Sequence, residues 1–252
     1  MRGEVCPARV GFHLATRCNF LHKCASEKET AMYLLHYRVD NASLAVRLTL
    51  NELGVPYRDK LLNREAGEQD SPAYRALQPY GLVPALETPD GPMFETAAIL
   101  LWLADRHGAL APTPTAPERA AFLKWFFFTS SNLHQAVFQL IYPERFAGSP
   151  EAEPAFTQLA RTRALLAFAE LEKLAASKPG WLSPDHPSIL GFYISMLARW
   201  LKYHKAGDPK HIDFTAYPAL HRLAAGLESR PAALKAAEQE GLGATIFTNP
   251  DY

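Results

Sequence analysis

Residues 84–105 change from a strand pattern to a helix pattern across a single tight turn. Pro84 has no backbone N–H, so it fits the first position of a strand. Asp90-Gly91 is a strong hairpin signal between two short apolar runs. The next apolar residues have helical spacing: Ala97, Ala98, Leu101 and Trp102. The segment therefore predicts a β-hairpin that leads directly into a helix.

The start of this helix suits an anionic ligand. The first N–H groups of a helix have no partner within it, and the helix dipole attracts negative charge. Thr96 adds a hydroxyl, and Val83 can offer its backbone to an extended peptide as a neighbouring strand would. The residues alone leave two interpretations open: a site for a small anionic peptide, or a plain hairpin and helix capped by Thr96.

A strand, a helix and a second strand precede the hairpin. The sequence predicts strands at 33–38 and 55–62, with a helix between them that ends at Gly54. Together with the hairpin and its helix, they make a βαβ…ββα unit of the thioredoxin type. A glycine and three prolines between residues 107 and 117 mark a linker.

Beyond residue 117 the pattern is helical throughout, and the third of these helices has the strongest amphipathic spacing. The predicted helices are 117–141, 152–177, one beginning at Ser188, 216–228 and 231–240. The predicted organisation is an N-terminal extension (1–31), a thioredoxin-like domain (32–108), a linker (109–116) and an all-helical domain (117–252).

Composition narrows the function classes. Lys plus Arg and Asp plus Glu number 26 each, which argues against a nucleic-acid surface because such a surface needs excess positive charge. No run of about 18 apolar residues is present, so no membrane span is expected. Hydrophobic residues make up 48%, which is typical of a globular protein. This composition agrees with a soluble intracellular enzyme.

The N-terminal extension holds all three cysteines, Cys6, Cys18 and Cys24. An odd number confined to one end is a poor disulfide framework, and the spacing around His22 matches no zinc pattern. The extension also lacks the apolar segment of a secretory signal. We expect either that Met32 is the true initiator or that 1–31 is a disordered tail.

The segment after residue 78 resembles the glutathione-binding half of the cytosolic glutathione transferase superfamily, nearest in pattern to the bacterial beta and zeta classes. The likeness runs through most of 32–240, and these motifs carry it: Pro79-x-Gly81-x-Val83-Pro84-Ala85-Leu86, Asp90-Gly91 and Glu95-Thr96-x-x-Ile99-x-x-x-Leu103. It implies a thioredoxin-like domain followed by an all-α domain. It also implies glutathione as co-substrate without metal or cofactor, a homodimer, and a cytoplasmic role in detoxification.

The resemblance also assigns binding roles. Val83, before a cis Pro84, pairs with the cysteinyl backbone of glutathione, while Glu95 and Thr96 hold its γ-glutamyl end. The residue before Val83 is often Lys or Gln in this family and helps bind the glycine carboxylate, but here it is Leu82. Two cations are candidates to replace it: Lys60 and Arg64.

Glutathione chemistry requires a stabilised sulfur anion, because a free thiol has a pKa of about 8.5 and the thiolate is the nucleophile. The usual place is the first loop, residues 37–43, at the start of the first helix, where the dipole helps. By resemblance, the beta-class cysteine falls on Ala42 and the zeta-class serine near Asp40, and neither residue here can do that work. The remaining donors are Asn41, which we prefer, Ser43 and Tyr37. Helix capping alone is the alternative for Asn41 and Ser43.

His134 is a second candidate. Leu133-His134-x-x-Phe followed by Pro143 resembles the beta-class segment in which a histidine approaches the sulfur. A protonated or donating imidazole would favour the thiolate. The alternative is a partly buried histidine on a core helix. The aromatic run 125–128 is expected to be mostly core, with part of it lining a pocket for the second substrate.

The predicted reaction is attack of glutathione thiolate on an electrophilic carbon. Two alternatives stay open: a glutathione-dependent isomerase or dehalogenase, and a binding protein that kept the fold without catalysis. No Cys-x-x-Cys occurs in the thioredoxin-like half, which disfavours disulfide exchange.

Overall fold

A computed structural model describes residues 32–250. The predictions made for 1–31 lie outside the described residues. The domain limits likewise stay predictions, although the thioredoxin-like unit and the helical region that follows it are both observed.

The N-terminal part is a four-stranded sheet with helices against it. The strands are β1 (Tyr33–Tyr37), β2 (Tyr57–Leu61), β3 (Ala85–Thr88) and β4 (Gly91–Phe94), in the spatial order β2-β1-β3-β4. The β1 and β2 strands are parallel, whereas β3 runs antiparallel to both β1 and β4. The predicted hairpin is therefore confirmed, and it forms one edge of the sheet.

Three helices belong to this part: α1 (Ser43–Leu53), α2 (Pro72–Arg75) and α3 (Thr96–His107). Gly54 ends α1 in the left-handed conformation at φ 66°, as its position predicted. The apolar faces of β1, α1 and α3 meet in one core with fully buried residues such as Leu35, Leu48 and Leu100. This core fixes the starts of α1 and α3, where the candidate site lies.

The part of the chain after α3 contains helices and no strand within residues 108–250, as predicted. The helices are α4 (Arg119–Phe128), α5 (Gln135–Ile141), α6 (Glu153–Ala176), α7 (Ile189–Arg199), α8 (Pro218–Glu228) and α9 (Pro231–Glu240). A π-helical segment, Thr129–His134, joins α4 to α5, so the predicted helix at 117–141 is continuous but locally wider. Within residues 32–250, no helix is both long enough and apolar enough to cross a membrane.

The α7 helix differs from its amphipathic prediction because all eleven of its residues are buried. It packs against α1, α8 and the π-helical segment, so no face is left for solvent. Two polar residues of α7, Ser195 and Arg199, have buried side chains, so solubility does not explain them. The Arg199 side chain donates hydrogen bonds to Asp40 in the first loop.

Candidate functional site

The segment before β3 is held in place by side chains. The Val83–Pro84 peptide bond is cis. The Tyr74 hydroxyl donates to the Leu82 carbonyl at 2.6 Å, and the Gln78 side-chain oxygen accepts the Leu82 N–H at 3.2 Å. Burial raises the pKa of Tyr74, so it stays a phenol and a donor. The Val83 N–H and C=O have no hydrogen-bond partner within residues 32–250, so both are available to a ligand.

Glu95 and Thr96 form the start of α3. Glu95 has φ 70°, a conformation that costs a non-glycine residue about 1–3 kcal/mol and that clusters at functional sites. Its exposed carboxylate has no ion-pair or hydrogen-bond partner among the described residues. The Thr96 hydroxyl is likewise without a partner in that part of the chain. The first helical hydrogen bond runs from Ile99 N–H to Glu95 C=O, so the N–H groups before Ile99 are free to bind an anion.

A cavity of about 550 Å³ opens beside Glu95, between α3 and α4. Its other charged residue, Asp105, is bound at both oxygens by Arg119 at 2.7 Å. Phe127 lines the cavity and is 51% exposed, whereas Phe126 is fully buried. Phe126 of the aromatic run thus lies in the core and Phe127 lines the cavity, and a role of this cavity for the second substrate stays a prediction. Of the two carboxylates that line the cavity, the Glu95 carboxylate is the one without an ion-pair partner among the described residues.

Asn41 has a free donor in the first loop. Its side-chain oxygen accepts the Ala42 N–H at 3.0 Å. Because that bond needs an acceptor, the oxygen and not the nitrogen faces Ala42. The NH₂ group therefore points elsewhere, and it has no partner among residues 32–250.

Ser43 differs from Asn41 in this respect. Its side chain is fully buried, and its hydroxyl donates to the Arg38 carbonyl at 3.1 Å. Tyr37 lies with its ring 4.2 Å from the Arg47 guanidinium, and burial raises its pKa. Neither Asn41 nor Ser43 caps α1, because the N-cap residue is Ala42 and it has no side-chain cap bond. Of the two predicted donors Asn41 and Ser43, Asn41 is thus the one whose N–H groups have no hydrogen-bond partner among residues 32–250.

His134 lies at the end of the π-helical segment, a distortion that is frequent at functional sites. Its Nδ1 is 2.6 Å from the Tyr193 hydroxyl. Burial lowers the pKa of His134 to about 4 and raises the pKa of Tyr193, so both are neutral near pH 7. In the tautomer with its proton on Nε2, His134 accepts at Nδ1 from the Tyr193 hydroxyl and keeps Nε2–H as a donor. Because burial lowers its pKa, His134 is a neutral imidazole near pH 7, so of the two predicted forms the protonated one is disfavoured.

Sequence reasoning missed Arg38, which directly follows β1. One guanidinium nitrogen, Nη1, is buried without a hydrogen-bond partner, and the side chain has no ion pair within the described chain. An unpaired, partly buried cation favours an anion nearby. The two cations proposed to replace Leu82 are placed differently: Lys60 is 3.7 Å from Glu68, and Arg64 is exposed. No group of metal-ligand residues occurs among residues 32–250.

The described part of the chain thus defines a class: a thioredoxin-like sheet domain followed by a helical region, with unpaired polar groups at the starts of α1 and α3. Residues 30–105 match the family model described as the glutathione S-transferase, N-terminal domain. This match covers the thioredoxin-like part of the chain, which is therefore similar to the glutathione-binding domain of glutathione transferases.

Individual relatives agree with this similarity. Glutathione S-transferase F9 of Arabidopsis thaliana is 26% identical over 188 residues, which cover 68% of this chain and 86% of the relative. The disulfide-bond oxidoreductase YfcG of Escherichia coli is 28% identical over 205 residues, covering 79% and 91%. A sphingomonad glutathione S-transferase, solved in complex with glutathione, is 28% identical with a TM-score of 0.66 and covers 83% and 100%.

Proposed function

We propose that this protein is a glutathione transferase that joins the glutathione sulfur to an electrophilic carbon. The observation that carries the proposal is Glu95, held at a strained backbone angle with an unpaired carboxylate at the start of α3. Beside it stand the free Thr96 hydroxyl and the free helix N–H groups. A carboxylate next to anion-binding N–H groups matches the ammonium and carboxylate of a γ-glutamyl group.

The rest of the tripeptide has partners at matching places. In this proposal, the free backbone of Val83 pairs with the cysteinyl residue, as an added strand would. Leu82 offers no charge to the glycine carboxylate. Arg38 is the unpaired cation that can meet an anionic part of the ligand instead.

The chemistry then depends on the first loop. The Asn41 NH₂ group donates to the glutathione sulfur, and the α1 dipole adds to the stabilisation. The thiol proton leaves to solvent. The thiolate forms a carbon–sulfur bond while the bond to the leaving group breaks and its electron pair departs with that group. Where the substrate is an activated double bond, the electron pair moves onto the substrate, which then takes a proton. His134 Nε2–H is a second donor in this proposal.

A second copy of the chain is part of the proposal, as the family resemblance implies. Two exposed aromatic residues support it, because Phe94 is 38% and Phe127 is 51% exposed. Solvent-exposed aromatic side chains of this size are enriched at protein interfaces. A cytoplasmic role in detoxification belongs to the same proposal.

One observation favours a second candidate, the reduction of disulfides by glutathione. The relative YfcG, at 28% identity, is named a disulfide-bond oxidoreductase. Residues 32–252 contain no cysteine, so two glutathione molecules would supply both thiols and both electrons. They would leave as glutathione disulfide while the substrate disulfide becomes two thiols. The isomerase or dehalogenase alternative differs only in the second substrate.

The deciding experiment combines calorimetric glutathione binding with two turnover assays, one using a chloronitroaromatic substrate and one using hydroxyethyl disulfide. We expect binding and formation of the aryl conjugate. Turnover of the disulfide alone would replace the transferase proposal with the second candidate. Binding without turnover of any electrophile or disulfide would indicate a binding protein, and no binding would overturn every glutathione-dependent proposal.

A further inference from the structure

Asp40, directly before Asn41, has a backbone conformation that something must hold. Its φ is 53°, in the left-handed region that non-glycine residues enter at a cost. Its N–H donates to Glu240 Oε2 at 2.9 Å. Its carboxylate receives two bonds from Arg199, from Nε at 2.7 Å and from Nη2 at 2.9 Å. Both partners come from the helical region.

The two partners are themselves fixed. Arg199 is 1% exposed at the end of α7, and its third nitrogen, Nη1, donates to the Ile246 carbonyl at 2.9 Å. Glu240 is buried at the end of α9 and accepts from Arg47 Nε at 2.8 Å. The first loop is therefore clamped by α7 and α9, which do not belong to the thioredoxin-like unit.

The clamp also sets a charge. A bare carboxylate next to a sulfur raises the thiol pKa, because like charges disfavour a second anion. The bidentate Arg199 guanidinium offsets the charge of Asp40. We infer that Arg199 is a positioning residue for the glutathione sulfur: it holds the conformation that orients Asn41 and neutralises Asp40, so that the bound thiol ionises near neutral pH. This inference rests on the proposed function.

Other titratable groups around Asp40 are accounted for. Tyr203 bonds to the Asp40 carboxylate, and the pKa of Tyr203 is raised, chiefly by burial, so it stays neutral at working pH. Glu240 is paired with Arg47, which also binds Asp59 Oδ2 at 2.5 Å. Substitution of Asp40 or Arg199 therefore changes the charge at the first loop and leaves the Glu240–Arg47 ion pair in place.

The test measures the thiolate absorbance of bound glutathione against pH in four proteins. In Arg199→Met we expect the ionisation midpoint to rise by about one pH unit, a roughly tenfold lower thiolate fraction below the midpoint. In Asp40→Asn we expect the midpoint to fall, because Arg199 is then uncompensated. Asparagine tolerates the left-handed conformation, so the loop keeps its shape.

The opposite signs separate charge compensation from mere support of the loop. If Arg199 and Asp40 only supported the loop, Arg199→Met would loosen Asn41 and raise the midpoint, and Asp40→Asn would raise the midpoint or leave it unchanged. The matched control is Arg230→Met, because Arg230 bonds Glu52 at 3.0 and 2.6 Å on α1 but far along the chain from the first loop. We expect no change in its midpoint.

The remaining outcomes are also decisive. If Arg199→Met does not fold, as thermal unfolding would show, Asp40→Asn decides: a lower midpoint supports the inference, and an unchanged or higher midpoint overturns it. If the wild-type protein gives a thiolate signal and Arg199→Met has the same midpoint, the inference is overturned and the proposed function stands. A wild-type protein without any glutathione-dependent signal overturns the proposed function and the inference together.

Discussion

Replacement of Asn41 by aspartate tests the sulfur contact with almost no change in shape. The side-chain oxygen that accepts the Ala42 N–H at 3.0 Å is retained, while the free NH₂ donor becomes a second carboxylate oxygen. A hydrogen bond to a charged group contributes about 1.5–3 kcal/mol, which corresponds to roughly 10- to 150-fold in kcat/KM. The added negative charge increases the loss.

The assay is kcat/KM for glutathione with the chloronitroaromatic substrate, measured together with the thiolate midpoint. Asn41→Ala should show the loss of the donor without the added charge. The control is Asn63→Asp, since Asn63 also accepts a backbone N–H, that of Ala66, at 3.0 Å, but in an exposed turn. An unchanged kcat/KM in Asn41→Asp would refute the assignment of Asn41 as sulfur donor.

Three further changes have defined outcomes. Leu82→Lys should tighten glutathione binding in calorimetry by up to about tenfold, because it returns a cation to the glycine end; weaker binding would contradict that placement. Arg38→Met should weaken binding and reduce its salt dependence, and unchanged binding would remove Arg38 from the site. His134→Gln should flatten the pH dependence of the unfolding free energy between pH 6.5 and about 4. Between these pH values the unfolded wild type binds a proton that the folded protein does not bind, so the unfolding free energy of the wild type decreases by up to roughly 3 kcal/mol as the pH is lowered. Equal slopes in the two proteins would contradict the burial of His134.

Local sequence signals predicted most of the fold. Pro84 and Asp90-Gly91 defined the hairpin, Gly54 marked the end of α1, and the helices beyond residue 117 followed from periodicity. The surroundings of α7 could not be predicted in this way. Its apolar spacing indicates one buried face, whereas burial on every side depends on how α1 and α8 pack around it.

The sequence predicted those parts of the candidate site whose residues lie close together in the chain. The roles of Val83, Glu95 and Thr96 came from one continuous motif and from family resemblance, and they stay predictions. The difference between Asn41 and Ser43 depends on which donor the backbone already uses, which sequence spacing does not reveal. Arg199 and Glu240 lie 159 and 200 residues from Asp40, and no periodicity links such distant positions.

The central claim is that the start of α3 binds the γ-glutamyl end of glutathione. Calorimetric titration of glutathione into the wild-type protein and into Glu95→Gln tests it most directly, with Glu118→Gln as an exposed control that does not line the cavity. Loss of one charge-assisted bond predicts binding about tenfold or more weaker in Glu95→Gln and unchanged binding in Glu118→Gln. Equal affinity in all three proteins, or no binding to the wild type, would contradict the account.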